Sequence, residues 1–319
     1  MLRALFISLS KARWAQRLIT KWRFAWKMAS RFIAGETVED AIRAVEQLNA
    51  AGILATLDHL GENTDSQAAA EQSTADILKI LDAIHAAGLR SNVSIKLSQL
   101  GLVLDSELAY TNLLTILERA RQVGNFVRVD MEDSSLVGIT LELVFRARAA
   151  GFENVGTVIQ SYLYRSPEDT RSLAQAGIRV RLVKGAYKEP ASVAYPKKAD
   201  VNAAFDQLVD ILLQAGQASG TSGGSADGLF PPLIAVGTHD PLRINYARES
   251  TKRLDLPDRA VEFQFLYGIR RDLQQELVKA GFSVRVYVPY GTHWYPYFMR
   301  RLAERPANVW FFVSSFFQK

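Results

Sequence analysis

Cysteine is absent from this chain of 319 residues, which excludes disulfides, thiolate metal sites, cysteine nucleophiles and cysteine-ligated iron–sulfur clusters. Histidine is scarce as well. His59, His85, His239 and His293 stand far apart, so no local metal-ligand spacing arises and no metal is expected. No apolar run approaches the roughly 20 residues needed to cross a bilayer. No GxGxxG follows a strand-like segment, and neither a Walker sequence nor a GxSxG elbow occurs, which argues against dinucleotide-fold and serine-hydrolase chemistry. The lack of a secretory pattern points to the cytoplasm.

Acidic residues are missing from the first 35 positions, where Arg3, Lys11, Arg13, Arg17, Lys21, Arg23, Lys27 and Arg31 lie. Of the 38 basic residues eight are in this stretch, leaving 30 against 33 acids and a net charge near −3 in the rest of the chain. The overall charge of +5 therefore belongs to an arm, not to a nucleic-acid-binding body. Leu5, Phe6, Trp14, Leu18, Trp22, Phe24, Trp26 and Phe32 are interleaved with the charges, the pattern of one or two amphipathic helices. Such an arm, taken as residues 1–48, can cap the main domain, lean on anionic lipid or act as an organellar targeting peptide.

From residue 50 onward, short apolar segments alternate with stretches of helical period. Strands are expected at 52–57, 92–98, 126–131, 155–160, 178–183, 233–237, 261–266 and 284–289. Helices are expected at 68–87, 106–122, 140–150, 167–176, 200–218, 241–253, 270–280 and 294–304. Eight such units match an α/β (β/α)8 barrel of the TIM type over 49–319 better than an open sheet. Many of these strands end in Asp58, Lys96, Asp130, Gln160, Lys184, His239 or Tyr290, and barrel enzymes build their sites at the C-terminal ends of strands. Gly88, Gly151, Gly177 and Gly281 read as helix C-caps, and Ser166 as the N-cap of the helix opened by Pro167. The stretch Ser219 to Ser225 reads as a flexible loop on the face opposite the site.

Arg300 and Arg301, adjacent on the last expected helix, are suited to gripping a small carboxylate, because a guanidinium fork can bind both of its oxygens. Neighbours on a helix diverge by about 100°, so both reach one anion only if it sits off the helix's inward edge; otherwise they are surface arginines. Strand alternation puts Arg181 and Val183 on one face, with Leu182 and Lys184 on the other. An inward Arg181 needs a partner, for which Asp130 is a candidate, and a buried structural ion pair explains it as well as function does. Lys96 reads equally as a Schiff-base lysine, a carboxylate contact or an ion-pair member. In Gly237-Thr238-His239-Asp240, Asp240 is placed to cap the helix that follows.

Taken in order, Ser94-Ile95-Lys96-Leu97-Ser98, Arg128-Val129-Asp130-Met131-Glu132, Val158-Ile159-Gln160-Ser161-Tyr162, the segment 181–187, Gly237-Thr238-His239, the segment 262–268 and the segment 287–301 resemble the motifs of the monofunctional bacterial proline dehydrogenases. The resemblance runs from about residue 35 to the C-terminus. It implies a flavin-dependent, distorted (β/α)8 barrel that oxidises L-proline to Δ1-pyrroline-5-carboxylate by hydride transfer from proline C5 to flavin N5, the first step of proline catabolism. Electrons would pass to a membrane quinone. That makes peripheral contact with the inner face of the cell membrane through the arm a further expectation.

Position by position, the resemblance puts Arg300 and Arg301 on the proline carboxylate with Lys96 in support. Tyr287 lies against the proline ring, where it disfavours hydroxyproline, and Tyr187 and Leu266 form shielding walls. Arg181, Lys96 and Tyr287 take the catalytic positions. Gln160 and Arg181 match contacts to the isoalloxazine of FAD. Asp130, Met131, Val183, Lys184, Gly185, Ala186, Thr238, His239, Gln264 and Glu304 match other flavin-contact or site-lining positions. Asp240 departs from the family's Thr-His-Asn, which bears on the adenine side. No general base is required, since the amine can lose its proton to solvent or a nearby group. Rival readings are a methylenetetrahydrofolate reductase-like flavin barrel, a Lys96 Schiff-base aldolase and a non-catalytic lipid-binding module.

Overall fold

The computed structural model of the protein describes residues 23–61, 64–220 and 223–304, so most of the basic arm lies outside the described residues. Eight parallel strands close on themselves: β1 (Leu54–His59), β2 (Ser91–Ile95), β3 (Val127–Val129), β4 (Val155–Gln160), β5 (Arg179–Val183), β6 (Ile234–Gly237), β7 (Val261–Leu266) and β8 (Ser283–Tyr290). β1 pairs with β8 in the register Thr56 to Tyr287, which completes the expected barrel. β1 begins two residues later than its pattern suggests, because Gly52, at φ +76°, ends the turn after the preceding helix. β2 stops at Ile95; beyond Lys96 the chain winds into a 3-10 turn, Leu97–Leu100.

Helix ends follow from local chemistry. Thr37 and Asp40 form a reciprocal capping box for Val38–Ala50, and Asp240 accepts the Leu242 N–H at 3.1 Å to start Pro241–Arg253. The expected cap at Ser166 is corrected. Ser166 is the first residue of the helix Ser166–Gln175, and its hydroxyl donates to the Gln160 carbonyl at 2.6 Å, tying that helix to the end of β4 instead of capping it.

Outward strand residues such as Leu57, Val93, Val129, Leu182, Val236 and Phe263 are buried beneath the helices and form the main core. The barrel interior, in contrast, is polar. Arg285 of β8 reaches Glu262 of β7 at 2.8 and 3.0 Å, and Arg128 of β3 donates to the Thr157 carbonyl at 2.9 Å. The loop before β6 closes the lower end, where the Gly228 and Leu229 carbonyls accept from Arg285 and Asn92. That placement agrees with the expected position of the Ser219 to Ser225 segment, of which residues 221–222 lie outside the described residues.

A second apolar cluster lies over β7, β8 and β1. Ala25, Ala29, Phe32 and Ile33 pack against Trp294, Tyr295, Phe298 and Leu302 of the helix Trp294–Glu304. Trp26 meets Trp294 edge-on at 5.4 Å, and the Trp294 indole donates to Glu36 at 3.0 Å. The helix bearing Arg300 and Arg301 is thus positioned by the chain that precedes the barrel.

Candidate active site

Above the buried lower layer, at the C-terminal ends of the strands, lies a cavity of about 410 Å³. Its floor is a set of inward side chains from five strands or strand ends: Asp58, Lys96, Asp130, Arg181 and Tyr287. Arg181 donates to Asp130 at 2.8 Å and to Ser94 at 3.1 and 3.2 Å, and its Nε donates to Gln264. Tyr287 reaches across the barrel to donate to the other Asp130 oxygen at 2.7 Å. Lys96 stands between the carboxylates, 3.3 Å from both oxygens of Asp58 and 3.6 Å from Asp130. Arg181 also lies over the Tyr287 ring at 5.2 Å.

Burial sets the protonation of this floor. The Tyr287 hydroxyl is pushed well above the ordinary phenol value by burial and by the nearby charges of Asp130 and Asp58. Burial likewise raises the Asp58 carboxyl; the charge of Asp130 adds to this, and together they outweigh the attraction of Lys96.

The walls gather the other candidates. Met131 and Gln160 stand on the β3–β4 side, where the Gln160 amide donates to the Glu132 carbonyl at 2.9 Å. Val183, Lys184, Gly185, Ala186 and Tyr187 form the β5 side. Gly185 is at φ +118°, and a Cβ there would fall 2.5 Å from the Tyr162 ring, so only glycine lets this segment pass. Lys184 donates to Asn202 at 2.7 Å and to Asp240 at 2.6 Å. Burial tends to raise the Asp240 carboxyl, but Lys184 holds it below its ordinary range.

Thr238, His239, Gln264 and Leu266 complete the β6–β7 side. His239 accepts the Leu266 N–H through Nε2 at 3.1 Å, which assigns its own ring proton to Nδ1. Arg300 and Arg301 both border the same cavity from the helix above, with Arg301 over the Tyr297 ring at 5.1 Å. Glu304 ends that helix, and its side chain lies outside the described residues.

Five lining residues were not among the sequence candidates: Asp58, Val158, Gly237, Phe265 and Tyr297. Signals for three existed. Asp58 is a polar strand end, Val158 shares a face with Gln160 two positions on, and Tyr297 stands three and four residues before the arginine pair on one helix face. Among the described residues no group of three or more His, Asp or Glu side chains is arranged to hold a metal.

A family model described as proline dehydrogenase matches residues 41–313. The chain belongs to the proline dehydrogenase family. Among curated members of that family, it is 45% identical over 294 residues to proline dehydrogenase of Deinococcus radiodurans, covering 91% of this chain and 90% of that one. It is 41% identical over 322 residues, and over the full length of both chains, to proline dehydrogenase 1 of Bacillus subtilis strain 168. Among solved structures, proline utilization A from Bdellovibrio bacteriovorus, inactivated by N-propargylglycine, superposes with a TM-score of 0.78 at 24% identity. That likeness covers 88% of this chain and 33% of the larger protein, and it shows the shared barrel fold.

Proposed function

We propose that this protein oxidises L-proline to Δ1-pyrroline-5-carboxylate with a bound FAD and passes the electrons to a membrane quinone. The observation that carries the reading is the pair Arg300 and Arg301 bordering a cavity whose floor holds Lys96, Asp58, Asp130, Arg181 and Tyr287. A small zwitterion matches this arrangement. The two guanidinium groups and Lys96 take its carboxylate, Tyr287 packs on its ring, and Tyr187 and Leu266 exclude water.

The residues present fit a flavin. Gln160, Arg181, Lys184 and Gln264 put amide and cationic groups along the wall from β4 to β7, while Met131, Val158, Val183 and Leu266 provide apolar area for a flat ring. Gly237 has no room for a side chain, since a Cβ there would lie 2.9 Å from Val183, so that wall stays flat. Asp130, Gly185, Ala186, Thr238, His239 and Glu304 complete the set that would hold the cofactor. When bound, the flavin supplies the two-electron acceptor for the substrate C–H bond. The Arg181 charge, fixed by Asp130 and Gln264, favours negative charge developing nearby.

We read residues 1–48 as an arm and 49–319 as the catalytic barrel, with the arm contacting the membrane peripherally at the inner face. The apolar cluster of residues 25–33 with the helix Trp294–Glu304 stands apart from the main core and supports a separate role for that stretch, whereas Ala41, Ala44 and Val45 of the helix Val38–Ala50 pack in the main core. Among the described residues no helix is long and apolar enough to cross a membrane.

The test is an anaerobic absorbance spectrum of purified protein before and after L-proline. Bleaching of a flavin spectrum is expected, and bleaching with reduced nicotinamide alone would refute the proposal. Arg301→Lys should raise KM for proline about tenfold or more, because Lys cannot make the two-pronged contact. An unchanged KM would remove the carboxylate assignment.

A further inference from the structure

The cavity floor carries two carboxylates in unlike settings. Asp130 is saturated by strong donors: Arg181 at 2.8 Å, Tyr287 at 2.7 Å and Ser94 at 3.1 Å. Asp58 is 1% exposed and holds two long contacts to Lys96 at 3.3 Å; the Tyr287 hydroxyl also acts on it, but directs its short hydrogen bond to Asp130. A carboxylate that is buried and weakly solvated by donors gains most from accepting a proton. Burial and the Asp130 charge already raise its affinity for one.

The chemistry proposed for this cavity releases a proton that such a nearby group can take. A secondary amino acid enters as a zwitterion, and its C–H bond next to nitrogen can be oxidised only once the nitrogen has a free electron pair. The carboxylate and the ammonium of the substrate are attached to one carbon. With the carboxylate between Arg300, Arg301 and Lys96, the ammonium faces the acidic corner where Lys96 meets Asp58 and Asp130. The other groups around Asp58 are less suited. Tyr287 donates its proton to Asp130, and His59, next in the strand, stacks on Tyr290 at 5.2 Å and does not border the cavity.

We propose that Asp58 takes the ammonium proton of the bound substrate, with Lys96 holding the carboxylate toward it; this rests on the proline reading above. The substrate N–H bond breaks and an O–H bond forms on Asp58. Both charges disappear together, the nitrogen keeps the electron pair, and no oxidant takes part. After product leaves, the proton returns to water and the Asp58–Lys96 pair re-forms.

The experiment uses the holoenzyme and its Asp58→Asn and Asp58→Glu variants, with anaerobic reduction by L-proline followed against pH. Asp58→Asn should slow reduction about a hundredfold or more at neutral pH and recover as the pH rises toward the amine's own pKa, where solution supplies neutral substrate. Asp58→Glu should regain most of the neutral-pH rate. An equal loss at every pH, or no loss, would overturn the proposal.

A second readout needs no variant. In the wild type, the infrared difference spectrum on adding L-proline should gain the carbonyl band of a protonated carboxylic acid, and its absence would also overturn the assignment. If L-proline does not reduce the wild type at all, the proline reading fails and this inference with it. Reduction without the carbonyl band fails the inference alone.

Discussion

Replacing Glu262 by Gln should destabilise the barrel by removing the counter-charge of its lower layer. Glu262 is 1% exposed and accepts Arg285 Nε at 2.8 Å and Nη2 at 3.0 Å, together with the Gln264 amide and the Ser283 hydroxyl. Arg128, also 1% exposed, donates to the carbonyls of Thr157 and Arg179, and its Nη2 has no hydrogen-bond partner. One carboxylate thus balances two guanidinium groups in this layer. Gln keeps the shape but strands both cations, and breaking a buried pair in this way costs about 3–5 kcal/mol. Against a domain stability of about 5–15 kcal/mol, that is a large fraction.

Urea unfolding followed by far-UV circular dichroism should show a lower midpoint with an unchanged slope. Glu262→Leu combined with Arg285→Met should be less destabilised than Glu262→Leu alone, because one stranded cation, Arg128, remains instead of two. The effect also has a pH signature. Burial pushes the Glu262 carboxyl up, but the Arg285 charge and hydrogen bonds carry it net below the ordinary glutamate value. Its stabilisation is therefore complete above the unfolded value of about 4.3 and disappears as pH falls through the lower folded value, so wild type and variant should converge in acid. A loss under about 1 kcal/mol at neutral pH would refute the reasoning.

Gly185→Ala should cost about 1–3 kcal/mol and weaken proline binding, since the new Cβ would meet the Tyr162 ring at 2.5 Å with φ at +118°; thermal unfolding and KM check it, and adding Tyr162→Ala should restore part of the loss. Asp240→Asn restores the family's Thr-His-Asn and keeps a helix cap while removing the charge facing Lys184, so flavin retention on dilution should not fall and the melting temperature should change by less than about 2 °C. Trp26→Ala removes the edge-on contact with Trp294 at 5.4 Å and loosens the helix that bears Arg300 and Arg301. KM for proline should rise about threefold or more, roughly 0.7 kcal/mol, with kcat affected less.

The sequence by itself determined the eight strand–helix units, because apolar segments of strand length and stretches of helical period are local properties that survive into the folded barrel. It also marked the end of the barrel where the cavity lies, since Lys96, Asp130, Gln160, Lys184 and His239 end or follow apolar strands where a purely structural chain would place small or apolar residues. Alternation put Arg181 on the inward face, yet it could not name the partner. Ser166 was misread for a related reason: its cap pattern is local, whereas its hydroxyl answers to Gln160 across a turn.

Only the tertiary structure decided which inward residues meet. Tyr287 and Asp130 are 157 positions apart and touch because β8 and β3 face each other across a closed barrel. Asp58 and Lys96 pair because β1 and β2 run side by side, with Asp58 in register with Ser94. Closure and register set those distances, and neither is encoded in any one segment. The unequal solvation of Asp58 and Asp130 arises there too, from how many donors each carboxylate finds once eight strands converge.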